Sequence, residues 1–294
     1  GLEENVKLQQ AVGVRTGIIS LDELRALDPG IVVTDEMAVA YEPDGGYADP
    51  ALTIAAFSAG ARQAGAEIWQ ETRVTNILQE GERVTGVETT RGKIECASVV
   101  NCANAWAPQI GKMVNVELPV RSERHQVATF QAPPDAVRPR LTAADFPHEM
   151  YYRPEGARLT LTGSIDPAHG QLCDPDNYNE AADFEFLADE ASRLRERYPS
   201  MEQAMIRGGW SGLYGVTPDW HPIIDEVPAG SGFFVAAGFS GHGFKLGPAV
   251  GVMIADMVTR QKVPTDLLDR SLFRYARFAE NKPVVGKYEY SIAG

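Results

Sequence analysis

The stretch from Phe233 to Pro248, FFVAAGFSGHGFKLGP, constrains the fold more than any other part of this chain. Its five leading apolar residues read as a strand covered on both faces, the pattern of a parallel sheet. A loop with glycines at 238, 241, 243 and 247 follows, and then a helix expected to open at Pro248 and run to about Thr259. Glycines allow positive φ and close approach of the backbone to a ligand. A helix N-terminus adds free N–H groups and the positive end of a dipole, which suits an anion. A tight strand-to-helix turn with no ligand would use the same residues. Gly241, Gly243 and Gly247 miss the G-x-G-x-x-G spacing by one residue. No acidic strand residue stands about 20 positions on, so a nicotinamide-type phosphate fingerprint is incomplete here.

The rest of the 294 residues narrows the function classes. Forty acidic against 27 basic side chains give a formal charge of −13, the wrong balance for a surface that grips nucleic-acid phosphates. Cys96, Cys102 and Cys173 are too scattered for a disulfide framework or a zinc site, so no metal is expected, and they fit a reducing, cytoplasmic setting. No apolar run approaches the roughly 20 residues that span a bilayer. No secretory leader opens the chain, which begins as though inside a polar helix.

Residues 1–30 read as helix, turn, helix, with a capping box at Ser20-Leu21-Asp22-Glu23. Asp49-Pro50 reads as N-cap and first turn of a helix to about Gln63, with Gly65 as its stop. Short β-type runs follow at Glu67–Glu71, Arg73–Gln79, Val84–Thr89 and Lys93–Asn101, then a helix at Ala107–Met113. From Leu118 to Gly163 the pattern is that of an antiparallel sheet, and Tyr178–Tyr198 reads as a charged helix. Strands are expected again at Ala204–Tyr214 and Gly232–Ala237. The fold class is mixed α/β, with an antiparallel block inserted between two other segments.

Two further clusters stand out: GLYGVTPDWHPII from Gly212, and ASVVNCANAWAPQIG from Ala97. Either alone reads as architecture. In this order, and with GGYADPALTIAAFSAGARQAGAEI ahead of them, the three clusters resemble the D-amino-acid-oxidase-type FAD-dependent oxidoreductases. The resembling branch holds sarcosine oxidase β subunits and proline or dimethylglycine dehydrogenases. The resemblance covers nearly the whole chain, but that family opens with a strand–GxGxxG–helix unit that holds the ADP half of FAD. The chain resembles the family's carboxy-terminal three-quarters. An incomplete FAD-binding domain of the glutathione-reductase type is therefore implied, in segments 49–115 and 206–294, with cap residues at 1–48 and an antiparallel substrate domain at 116–205.

The resemblance also implies roles. Gly241, His242, Gly243 and Phe244 match the flavin-contacting loop, and Lys245 matches a lysine that pairs with a substrate carboxylate. Val74 matches the position whose backbone meets adenine. Ala103, Asn104 and Trp106 match the middle flavin segment, although the family often has glycine where Asn104 stands. Tyr214 resembles the branch acting on secondary and tertiary amines, where glycine-type oxidases often carry arginine. Gly212 stands where monomeric sarcosine oxidases have a flavin-linking cysteine, so the implied FAD is non-covalent. Leu161 falls near the position of an oxygen-activating lysine, which leans toward a dehydrogenase. His125 and Tyr152 on the antiparallel block are candidates for shaping the amine pocket.

The implied function is hydride transfer from a small secondary or tertiary amino acid, such as sarcosine, dimethylglycine or proline, to FAD. A partner subunit or electron acceptor is part of that expectation. The alternatives are a non-catalytic fragment or subunit that binds a partner chain, and a flavoenzyme for a 2-hydroxy acid.

Overall fold

The computed structural model describes residues 1–260 and 270–285. The rest of the expected 206–294 segment, residues 261–269 and 286–294, lies outside the described residues. In chain order the elements are α1 (Leu2–Ala11), β1 (Gly17–Ile19), α2 (Leu21–Leu27), β2 (Val39–Tyr41), α3 (Pro50–Gln63), β3 (Val74–Glu80), β4 (Arg83–Thr89), β5 (Gly92–Glu95), β6 (Val99–Asn101) and α4 (Ala107–Lys112). There follow β7 (Arg121–Gln131), β8 (Ala143–Asp145), β9 (Met150–Glu155), β10 (Leu159–Ser164), β11 (Gln171–Leu172), α5 (Phe184–Arg197), β12 (Met205–Val216), β13 (Ile223–Glu226), β14 (Phe233–Ala237) and α6 (Gly243–Thr259).

Two sheet systems position the site. In the first, β14 pairs in parallel with β6 and antiparallel with β13, and all five of its residues are buried. Such complete burial follows from cover on both faces, which is why FFVAA shows no polar alternation. Phe233, Val235 and Ala237 share a core with Ile77, Val84 and Val87 of the β3–β4–β5 meander. The second system is a six-stranded antiparallel sheet built around β7. Strand β12 runs along one edge of β7 for its whole length, while β10 and β11 share the other edge.

The sheet has two distinct faces. On one, Ala128, Phe130, Met150 and Tyr152 pack against Leu194 of α5 and the neighbouring Tyr198. Side chains alternate along a strand and cross-strand partners share a face. The pairings Tyr214–Glu123, Gly212–His125, Val127–Gly163–Tyr151 and Thr129–Leu161–Arg153 therefore mark the opposite face.

Local signals explain many boundaries. Ser20 and Glu23 form the reciprocal capping box, and Asp49 accepts from the Leu52 amide with Pro50 in the first turn. Four expectations need correction. Glu67–Glu71 forms no strand: Ile68 and Trp69 are exposed, and no described strand runs alongside to take up its backbone hydrogen bonds. Lys93–Asn101 divides into β5 and β6, which belong to different sheets. The charged helix begins at Phe184, because residues 179–183 are held in irregular form by the buried Arg124, which donates to the carbonyls of Asn179 and Ala181 and to the Asp183 carboxylate. The last helix begins at Gly243, five residues before Pro248, which lies inside it.

Candidate flavin and substrate site

The early start of α6 decides where its dipole points. The first turn of α6 belongs to the glycine loop itself, and the N-cap His242 makes no side-chain cap hydrogen bond. Two contacts fix that loop. The Ser240 amide donates to the Gly215 carbonyl at 3.0 Å, with Ser240 at φ 49°, and the Thr217 amide donates to the Ser240 hydroxyl at 3.3 Å. The end of β14 is thereby tied to the end of β12. Gly241, at φ 89°, passes so close to Tyr214 that a Cβ there would lie 2.7 Å from the ring. Only glycine fits both the backbone conformation and the approach.

The β6 side contributes a second braced turn. Buried Asn101 donates to the Ala107 carbonyl at 2.9 Å and accepts from the Ala103 amide at 3.1 Å. Asn104 then takes a left-handed φ of 46°, a conformation that asparagine tolerates better than most residues, and donates to the Leu213 carbonyl at 3.4 Å. Asparagine thus serves in the left-handed backbone where glycine was the family expectation.

Between these turns lies a cavity of about 400 Å³. It brings together Asn104, Tyr214, Gly241, Gly243 and Phe244 of the expected residues, and adds Cys102, Leu213, Gly215, Phe239 and Gly247. The added residues sit inside the same sequence clusters; their periodic placement beside the named positions was the available signal. A side chain at Gly247 would meet no protein atom within 4 Å, so the backbone there lies bare to the cavity. Gly212 is likewise open, on the sheet face shared with His125.

The other expected residues sit around the cavity or away from it. His242 is buried behind the loop, and that burial pushes its pKa down to about 4, with the charge of Lys245 adding to the effect. Lys245 stands in the first turn of α6, and desolvation lowers its pKa from the usual ammonium range. Burial raises the Tyr214 phenol, so Tyr214 keeps its proton at neutral pH. Ala103 precedes the cavity-lining Asn104. Trp106 is turned outward and donates to Asp176 at 2.8 Å. Val74 opens β3 and packs on the first core, outside the cavity.

His125 lies behind the cavity wall, its ring stacked on Tyr214 at 4.1 Å. Tyr152 corrects the sequence reading: it is 2% exposed on the far face of the sheet, where it accepts from the Tyr198 hydroxyl. Its neighbour Tyr151 is the tyrosine on the face of Tyr214. Strand alternation separates the two, and the register could not be read from YY alone.

The lining suits a planar, partly anionic ring system: glycine backbone, aromatic walls and, in Gly243 and Phe244, the first turn of a helix. Among the described residues no group of three or more His, Cys, Asp or Glu side chains forms a metal site. No helix there is long and apolar enough to cross a membrane.

The chain is 28% identical to the L-proline dehydrogenase of P. horikoshii, with a TM-score of 0.86 over 96% of this chain and 74% of that one. It is 26% identical to the mitochondrial sarcosine dehydrogenase of Homo sapiens over 95% of its own length. It is 25% identical to sarcosine oxidase subunit beta of Arthrobacter sp over 85% of its length. It spans 31% of that dehydrogenase and 61% of that subunit. The model of the FAD dependent oxidoreductase family, DAO, matches residues 1–257, and the chain belongs to that family.

Proposed function

We propose that the protein oxidises a small secondary or tertiary amino acid of the sarcosine, dimethylglycine or proline kind, with non-covalently held FAD. The observation that carries this reading is the single cavity uniting Asn104, Tyr214, Gly241, Gly243 and Phe244 at the uncapped start of α6. FAD, when bound, supplies the acceptor for the hydride that leaves the carbon beside nitrogen. The chain's own contribution is positional and electrostatic. N–H groups of the first turn of α6 favour negative charge beside them. Tyr214, Phe239 and Phe244 give the cavity an aromatic wall. Lys245 holds the substrate carboxylate. Gly212 carries no thiol for a covalent link.

Segments 49–115 and 206–294 then serve the flavin, and 116–205 supplies the substrate-facing sheet. Buried Leu161, on the same sheet face as His125 and Tyr151, supports a dehydrogenase over an oxidase. A cytoplasmic location is part of the same reading.

The test uses the full natural protein with FAD. Anaerobic addition of sarcosine, dimethylglycine or proline should bleach the flavin absorption, while glycine and lactate should not. Bleaching by lactate alone would transfer the reading to a hydroxy acid, and no bleaching by any of them would end it. Lys245→Met should raise KM for carboxylate substrates about tenfold or more, as expected for a charged hydrogen bond of roughly 1.5–3 kcal/mol, with a smaller change in kcat. Unchanged kinetics would remove Lys245 from the role.

A partner chain is a second reading with its own support. Leu52, Ile54 and Phe57 of α3 are exposed, and none of the helix's residues is buried. Exposed apolar surface of this kind suits a protein–protein contact. Light scattering on the purified protein should then give a mass above that of one chain.

A further inference from the structure

The cavity wall at Tyr214 is the front of a stack three layers deep. Gly241 approaches the Tyr214 ring so closely that a Cβ there would lie 2.7 Å from it. The imidazole of His125 covers the ring from another side, with centroids 4.1 Å apart and planes 22° from parallel. His125 in turn presents Nε2 to the Glu123 carboxylate at 3.3 Å. Glu123 is 4% exposed and also pairs with Arg121. Behind this pair the chain has glycine at 170, where a Cβ would lie 2.4 Å from Glu123 Oε2 and 3.0 Å from His125 Nε2. The imidazole is therefore held at its edge and backed by bare backbone, leaving its flat face as the surface it offers to the site.

Resting on the proposed amine-oxidising function, we infer that His125 is a positioning residue whose imidazole acts as a flat support, fixing the plane of the Tyr214 ring at the substrate wall, with Glu123 anchoring its edge. It takes no proton from the substrate. Its surroundings disfavour the charged ring. Burial lowers the His125 pKa, against the opposite pull of Glu123, and His169 in the turn at 167–169 lowers it further. The charged or titratable groups facing it are thus Glu123, with Arg121 beyond, on β7, Tyr214 on β12 and His169.

The role separates ring shape from proton chemistry. His125→Phe keeps a flat face on Tyr214 and has no titratable nitrogen, whereas His125→Ala removes the support. In the FAD-loaded full-length protein, His125→Phe should keep KM and kcat for sarcosine or proline within about threefold of the unaltered protein. His125→Ala should raise KM by about three- to tenfold, the range an aromatic pair is worth, with kcat less affected. Equal impairment of both variants would mean the imidazole itself is needed, and the inference falls. It falls equally if neither variant changes KM.

A second measurement does not depend on turnover. In histidine-labelled protein, the His125 ring proton signals should be displaced by the Tyr214 ring current and should move when Tyr214→Leu is introduced. Unmoved signals would show that the two rings do not stack. Failure of the unaltered protein to bleach with any amine would instead count against the amine-oxidising function, since the stack is read separately by this measurement.

Discussion

At the scale of single residues, the site depends on positions where the backbone leaves no alternative. Gly241 combines φ 89° with a 2.7 Å approach to the Tyr214 ring. Gly241→Ala would strain the backbone and push the ring that walls the cavity. We expect a loss of about 1–3 kcal/mol, seen by chemical denaturation, together with weaker FAD binding by titration. His242 gives a pH-dependent counterpart. Its folded pKa of about 4 lies below the ordinary 6.5, so the unfolded chain takes up a proton first as pH falls. Stability should decline between pH 6.5 and 4, by up to about 3 kcal/mol from this group. His242→Asn should flatten that part of the stability–pH curve, and an unchanged slope would assign it elsewhere.

At the scale of elements, α5 carries a carboxyl into the core behind the antiparallel sheet around β7. Glu190 is 1% exposed, and its Oε2 lacks a hydrogen-bond partner. Burial raises its pKa from 4.5 to about 7, against the lowering effect of the Thr162 hydroxyl. The sign is opposite to that of His242. The folded state keeps the proton that the unfolded chain releases above pH 4.5, so this stabilisation is lost as pH rises through 7. Glu190→Gln should therefore raise the denaturation midpoint at pH 8 and leave it nearly unchanged at pH 4.5. Equal effects at both values would refute the buried-acid reading.

Elements also show which parts of the fold were legible in the sequence. Helix α3 could be bounded because Asp49, Pro50 and Gly65 act locally, through a cap, a fixed φ and a left-handed stop. The glycine loop was legible for the same reason. The start of α6 was not: Pro248 suits a first turn, and the loop contacts of Ser240 with Gly215 and Thr217 that precede Gly243 join distant segments. Tyr151 and Tyr152 could not be told apart either, because the face each occupies depends on pairing with Gly163 and Thr162. The Arg124 brackets that hold residues 179–183 out of helix are equally non-local.

At the scale of the whole molecule, the described carboxy-terminal residues are locked by one buried ion pair. Arg277 and Asp219 are each about 2% exposed at the side chain and meet through two hydrogen bonds, of 2.8 and 3.0 Å. Asp219 also accepts from the Val284 amide, while Arg277 donates to the His221 carbonyl. These bonds fasten residues 270–285 to the turn after β12. Removing one partner of a buried pair leaves the other charge stranded, at about 3–5 kcal/mol. Arg277→Met should lower Tm and make the segment after Arg270 the first cut in limited proteolysis. A variant as stable and as protease-resistant as the unaltered protein would show that the clamp contributes nothing.

The parallel pairing of β6 with β14 has a consequence for how the protein is made. Residues 99–101 leave the ribosome long before residues 233–235, their hydrogen-bonded partners, exist. Between the two, the antiparallel sheet around β7 has its own core with α5 and can mature on the nascent chain. The cavity cannot form until β14 and α6, which supply one of its walls, have been made. This cavity therefore closes only after the antiparallel sheet around β7 has been made.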